Sequence, residues 1–177
     1  MALLYHTGKN WIGLVCEIKC KTTQVEDGKI SIIAANAGDA RAVVNKCDEA
    51  YRLTNDHRAD DPMEQKRIEK AGGFVLKNRV LGILAVARSL GDHSMKEFVI
   101  CQPFVQCIDI KKEKNSFLIV ACDGLWDVMT DQEAVDLVQS TIARDTSMKE
   151  HVAQVLVDEA LKRGSSDNIT AVVTWIS

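Results

Sequence analysis

Phe117-Leu118-Ile119-Val120-Ala121-Cys122, broken off by Asp123-Gly124-Leu125-Trp126-Asp127, is the most informative run of this 177-residue chain. Six consecutive apolar residues rich in Ile and Val suit a buried strand, and the sudden Asp-Gly marks where the strand leaves the sheet. Similar runs lie on either side of it, at Ile12–Cys20, Ile30–Ala37, Ala40–Asn45, Phe104–Ile110 and Ile169–Ile176, bounded by Gly, Asp or Asn. Asp27-Gly28, between the first two, is a hairpin turn signal. Helices declare themselves by their starts. Asp61-Pro62-Met63-Glu64 offers an N-cap, a proline at N1 and an acidic N3, and Gly72-Gly73 ends that helix. Thr130-Asp131-Gln132-Glu133 is a capping box opening 134–143, and Ser147-Met148-Lys149-Glu150 is read as opening another helix that Gly164 closes. Strands with helices to cover them predict a layered α+β or α/β domain.

Composition narrows the function classes. Twenty-two basic residues against 25 acidic give a net charge of −3, without the basic footprint of a protein that lives on nucleic acid or anionic lipid. The apolar stretch after Met1 is too short for a signal-peptide core, and no run approaches the ~18 apolar residues of a membrane span. The expectation is one domain over residues 1–177, no nucleic-acid or membrane partner, reduced cysteines, and a cytoplasmic or nuclear location.

Chemistry points to the strand ends. Asp123 follows one apolar strand, Asp39 in Gly38-Asp39-Ala40-Arg41 follows another, and Asp167 in Ser165-Ser166-Asp167-Asn168 precedes the last. Carboxylates gathered at one sheet edge would repel, and a hard divalent cation resolves the repulsion; an all-oxygen set without His or thiolate favours Mg²⁺ or Mn²⁺. The alternative is that all three are turn and N-cap residues that accept hydrogen bonds from nearby amides.

A series of motifs then resembles, in order, the C-terminal portion of the type 2C metal-dependent (PPM) family of protein serine/threonine phosphatases. These are Ala35-Asn36-Ala37-Gly38-Asp39-Ala40-Arg41; Leu53-Thr54-Asn55-Asp56-His57 and Glu64 through Ala71-Gly72-Gly73, leading into the family's flap; Leu84-Ala85-Val86-Ala87-Arg88-Ser89-Leu90-Gly91-Asp92; Ala121 through Met129; and Gly164 through Thr170. The resemblance spans roughly residues 30 to 177, and residues 1–29 are the least family-like. It implies a partial α-β-β-α sandwich of antiparallel sheets lacking the N-terminal strands, which would leave a strand edge or apolar face uncovered. It also implies Asp123 and Asp167 as ligands of a core metal pair, Asp39 as a ligand of a weaker third ion, and phosphoester hydrolysis by a metal-bridged water, with no side-chain nucleophile assigned. Phosphoserine and phosphothreonine proteins are the implied substrates.

The family's Asp-Gly-His-Gly is absent: Asp27-Gly28 and Asp123-Gly124 are the Asp-Gly pairs, and neither precedes His. The upstream phosphate-gripping Arg of the family has no counterpart either. This leaves two readings. One is a truncated phosphatase with reduced or no activity, and the other a non-catalytic pseudophosphatase that binds a partner chain, or a second copy completing the sandwich. Among smaller signals, Cys122 reads as an inert core thiol rather than a nucleophile, and His57 as a surface turn residue rather than an acid near phosphate. Arg79 and Arg88 read as salt-bridging or loop-structuring, Trp126 and Met129 as packing beneath the acidic turn, and 111–114 as a solvated turn.

Overall fold

Why an uninterrupted apolar strand is tolerated becomes plain from its position. A computed structural model describes residues 15–21, 29–111 and 116–176. Strand β8 (Phe117–Ala121) is buried along its whole length, between β3 (Arg41–Lys46) and β9 (Ala171–Trp175), with β4 (Glu49–Arg52) beyond β3. All pairings in this four-stranded sheet are antiparallel. A second antiparallel sheet holds β1 (Val15–Lys21), β2 (Lys29–Ala37) and β7 (Phe104–Lys111) in the order β1-β2-β7.

The period of two along each strand sorts side chains between two cores. Leu118 and Val120, with Ala42 and Val44, meet Ile30, Ile32, Ala34 and Ile110 of the other sheet. Phe117, Ile119 and Ala121 turn the opposite way and pack under three helices, α2 (Asp123–Trp126), α3 (Asp131–Arg144) and α4 (Val152–Lys162). Covered on both faces, β8 has no position for a polar side chain. The layers are thus helix, sheet, sheet, an α+β sandwich. On the outer face of the second sheet, Val105 of β7 is 58% exposed and Cys107 and Asp109 are exposed beside it.

A smaller unit is inserted between β4 and β7. Helix α1 (Pro62–Lys70) starts where its sequence says: the Asp61 side chain accepts from Met63 N–H and Glu64 N–H. A short hairpin comes next, β5 (Val75–Leu76) and β6 (Arg79–Val80), turning through Lys77 and Asn78, both at positive φ. Ala59, Ile68, Val80, Ala87 and Val99 form its core. It is stitched to the sheet end by His57 N–H to Gly38 O (3.0 Å) and Ala87 N–H to His57 O (2.8 Å).

Two local readings are corrected. Ser147 does not cap a helix: Asp145 accepts from Ser147 N–H, Thr146–Glu150 forms a 3-10 turn, and α4 begins only at Val152. The short Asp145 side chain captures the first free amide and diverts the chain before a full helix can start. Neither β4 nor the β5–β6 hairpin was foreseen, since two- to four-residue strands carry too little periodicity to register. The Asp27-Gly28 turn and most of 111–114 lie outside the described residues.

Candidate metal centre

Strand register brings the acidic residues to one edge. Arg41 lies opposite Ala121, and Ala121 opposite Ala171. Asp39 enters β3, Asp123 leaves β8 and Asp167 precedes β9, so all three emerge at the same end of the four-stranded sheet. Gly38, at φ 119, allows the sharp reversal before Asp39.

The Asp123 and Asp167 turns are locked together through backbone. Cys122 N–H donates to Thr170 O (3.1 Å), Thr170 N–H donates to Cys122 Sγ (3.2 Å), and the Cys122 thiol donates to Asn168 O (3.1 Å). Ser165 Oγ donates to Gly124 O (2.6 Å). A Cβ placed on Gly124 would sit 2.4 Å from Asn168 O, so only glycine permits this approach. From below, Trp126 Nε1 donates to Ala121 O (3.0 Å), and the Arg41 guanidinium stacks 5.1 Å over the Trp126 ring. Arg41 is itself held by Asp56 and by Asp131, the latter at 2.6 Å.

Electrostatics show crowding. The Asp39 carboxyl is pushed up to about 7, by burial first, then by the charge of Asp123. Asp123 is raised as well, by burial, then by Asp167 and Asp127. Asp123 therefore belongs to three repelling pairs, with Asp39, Asp127 and Asp167. Arg58 opposes them: its Nη1 lies 2.8 Å from Asp127 Oδ1, and its charge stabilises both Asp39 and Asp123 as carboxylates. Among the described residues, no three His, Cys, Asp or Glu side chains gather closely enough to enclose a single ion. The arrangement is an open one, with hard oxygen donors in pairs that share Asp123. Its chemistry fits a hard divalent cation: half-buried like charges such as Asp39 and Asp123, driven toward protonation, are the condition such an ion relieves.

This crowding has a measurable pH effect. Asp39 changes from 3.8 unfolded to about 7 folded. A carboxyl raised on folding retains its proton longer in the native state, so stability declines as pH climbs from about 4 to 7 and then levels off. Asp39→Asn should therefore leave the melting temperature nearly unchanged at about pH 4 and raise it at pH 8 without divalent ions. The ceiling is roughly 4 kcal/mol, at about 1.4 kcal/mol per pH unit. Equal melting temperatures at pH 8 would contradict the burial of this charge.

The structure also places the smaller sequence signals. His57 is not a surface residue: it is fully buried, with Nδ1 3.1 Å from Gly38 O. Burial, then the nearby Arg88 charge, lowers its pKa. The Gly38 carbonyl draws it inward, a partner 19 positions away that local sequence does not reveal. Cys122 is a partly buried thiol whose pKa is raised, chiefly by burial, as suits an inert group. Arg88 pairs with Glu64 (2.5 Å), and Arg79 Nη1 donates to Ile83 O (2.8 Å), both structural roles. Trp126 and Met129 are core residues. Arg58 and Asp127 were missed. Asp127 falls four residues after Asp123, one helical turn on and hence on the same side, a spacing that could have flagged it.

An α+β sandwich with paired carboxylates at one sheet edge is the class of protein these observations define. Residues 19–169 match the family described as Protein phosphatase 2C. The chain belongs to the protein phosphatase 2C family. It is 43% identical over 145 residues to Protein phosphatase 2C homolog 1 of Saccharomyces cerevisiae, covering 82% of this chain and 50% of that protein. It is 45% identical over 143 residues to Protein phosphatase 2C homolog 1 of Schizosaccharomyces pombe, covering 80% and 40% respectively. Among solved structures, a phosphatase from a pathogenic strain of Toxoplasma gondii superposes with a TM-score of 0.77 at 30% identity, over 85% of this chain and 51% of that one. A C. elegans sex determining protein gives 0.74 at 28%, over 84% and 37%. The chain thus spans half or less of the length of the two yeast relatives.

Proposed function

We propose that the sheet edge carrying Asp39, Asp123 and Asp167 is the metal-binding half of a protein serine/threonine phosphatase site that hydrolyses phosphoserine and phosphothreonine in protein substrates. The observation that carries this reading is the crowding of carboxylates around Asp123, with Asp39 and Asp123 half-buried and Asp167 exposed, seen in a chain of the 2C family. Asp123 and Asp167 would hold one Mg²⁺ or Mn²⁺, and Asp39 with Asp123 a weaker one. Bound there, such ions supply the charge that makes water nucleophilic near neutral pH and offsets the charge of the phosphoryl oxygens.

This chain's residues contribute the positioning. Cys122, Ser165 and Thr170 fix the Asp123 turn against the Asp167 turn, which limits how far the two carboxylates can drift apart. Arg58 holds Asp127 beside the cluster and moderates its negative charge. Residues 1–177 contain no Asp-Gly-His-Gly, so the bridging carboxylate of the family is missing from this sequence. Hydrolysis by residues 1–177 alone is reduced by several orders of magnitude relative to full-length relatives, or absent. We place the protein in the cytoplasm or nucleus, where Cys101, Cys107 and Cys122, none in a disulfide, stay reduced. Among the described residues, no helix is long and apolar enough to cross a membrane.

The test is calorimetric titration of residues 1–177 with Mn²⁺, beside turnover of a phosphothreonine peptide. Weak binding lost in Asp123→Asn, with turnover far below that of the yeast relative assayed in parallel, is the expected outcome. Absence of Mn²⁺ binding in the parent chain would refute the metal site, and turnover equal to the yeast relative's would refute the reduced activity.

A further inference from the structure

The hairpin β5–β6 buries Val80 and half-buries Val75, yet leaves apolar side chains exposed on and beside it. Phe74, Leu76 and Ile83 are 53%, 55% and 64% exposed. Single exposed apolar residues are ordinary, whereas three within ten positions on and flanking one small hairpin make a patch. Phe74 and Leu76 lie two apart along an extended segment and share a face, while Val75 between them points into the core of the inserted unit. A Cβ on Gly82 would touch Leu76 Cδ2 at 3.8 Å, so the turn leading to Ile83 lies against the Leu76 side chain. Arg79 holds that turn by donating to Ile83 O (2.8 Å). The patch is thus a shaped surface rather than a frayed tip.

Its charge is opposite to that of the chain. Exposed Lys70, Lys77 and Arg79 rim it, opposed by Glu69 alone over 69–83, on a protein of net charge −3. Apolar side chains at a two-residue spacing within a cationic rim match one kind of partner: an extended segment that alternates apolar with acidic residues. We propose that Phe74, Leu76 and Ile83 form a docking surface for an acidic, apolar-alternating segment of a partner protein. Apolar contact supplies affinity, and the rim charges select sign and speed association. None of its residues is an acidic residue of the sheet edge, and the docking proposed does not depend on hydrolysis or on a metal.

The probe is a fluorescein-labelled peptide of about 12 residues with Phe and Leu at alternate positions among Asp and Glu. Its control has Lys in place of every acidic residue. Fluorescence polarisation with residues 1–177, without divalent ions, should show saturable binding of the acidic peptide and much weaker binding of the control. Affinity should fall as salt is raised from about 50 to 300 mM, beyond which a Debye length near 6 Å screens the rim. Leu76→Ser with Ile83→Ser, and separately Lys70→Glu with Lys77→Glu, should each weaken binding by about tenfold or more. All four positions are exposed, so circular dichroism should match the parent chain. Asp123→Asn should bind the peptide as the parent does, which separates this inference from the proposed hydrolysis. Equal binding of both peptides, or unchanged binding by both double variants, would overturn it. Should the apolar pair fail to fold, the lysine pair decides alone.

Discussion

Gly124→Ala should lower the melting temperature by about 6–12 °C and abolish divalent-ion binding. The added methyl would sit 2.4 Å from Asn168 O and 3.1 Å from its carbonyl carbon, and the obstacle is backbone that cannot rotate aside. Relief requires the Asp123 and Asp167 turns to move apart, against the bonds Cys122 and Ser165 make across them. Overpacking of this severity costs about 3 kcal/mol, and in a chain of this size each kcal/mol shifts the midpoint by about 2–4 °C. Gly72→Ala provides the comparison. Gly72 has φ +89 with nothing near its missing Cβ, so strain of the left-handed backbone is the only penalty, near 1 kcal/mol. A Gly124 variant no less stable than the Gly72 variant would show that the two turns are not in contact.

Glu64→Ala should unfold the inserted unit while leaving the sandwich largely intact. The Glu64 side chain is 4% exposed and receives Arg88 through Nε (2.9 Å) and Nη2 (2.5 Å) on one oxygen, and Arg67 Nε (2.9 Å) on the other. The two guanidiniums also donate onward to the carbonyls of Ala87, Phe98 and Gln102, so one carboxylate organises three loop segments. Removing it leaves paired cations without their counter-charge, a loss of about 3–5 kcal/mol. Hydrogen exchange should become faster across residues 59–100 and stay slow in β8 and α3. Glu64→Gln, which keeps the shape but not the charge, should fall between. The Glu64 pKa is lowered: burial alone would raise it, but the bonds from Arg88 and Arg67 outweigh that. Its contribution is therefore present above the ordinary carboxylate range and fades as pH falls through the lowered value. Uniform exchange in Glu64→Ala would mean that the unit stands without this network.

How much of this was legible can be judged from particular elements. Strand β8 and helices α1 and α3 were readable because their signals are local: an apolar run, a proline after an aspartate, a Thr-x-x-Glu box whose two bonds both form. That Asp39, Asp123 and Asp167 end or precede strands was equally local. That they share an edge depends on the Arg41–Ala121–Ala171 register, which joins segments about 50 to 130 positions apart. The order of family-like motifs reached that conclusion by resemblance, where spacing alone left a turn role open.

What sequence determines unaided here is the identity of the longer strands and helices, the absence of a strongly basic composition, and the chemical type of the donors at the strand ends. Each rests on residues within a few positions of one another. Tertiary structure alone decided that His57 is buried, that Arg58 faces the acidic cluster through Asp127, that Asp39 holds its proton to near neutrality, and that Phe74, Leu76 and Ile83 stay exposed while Val75 does not. Burial and the distance between charges are properties of neighbours, and folding chose these neighbours from distant parts of the chain.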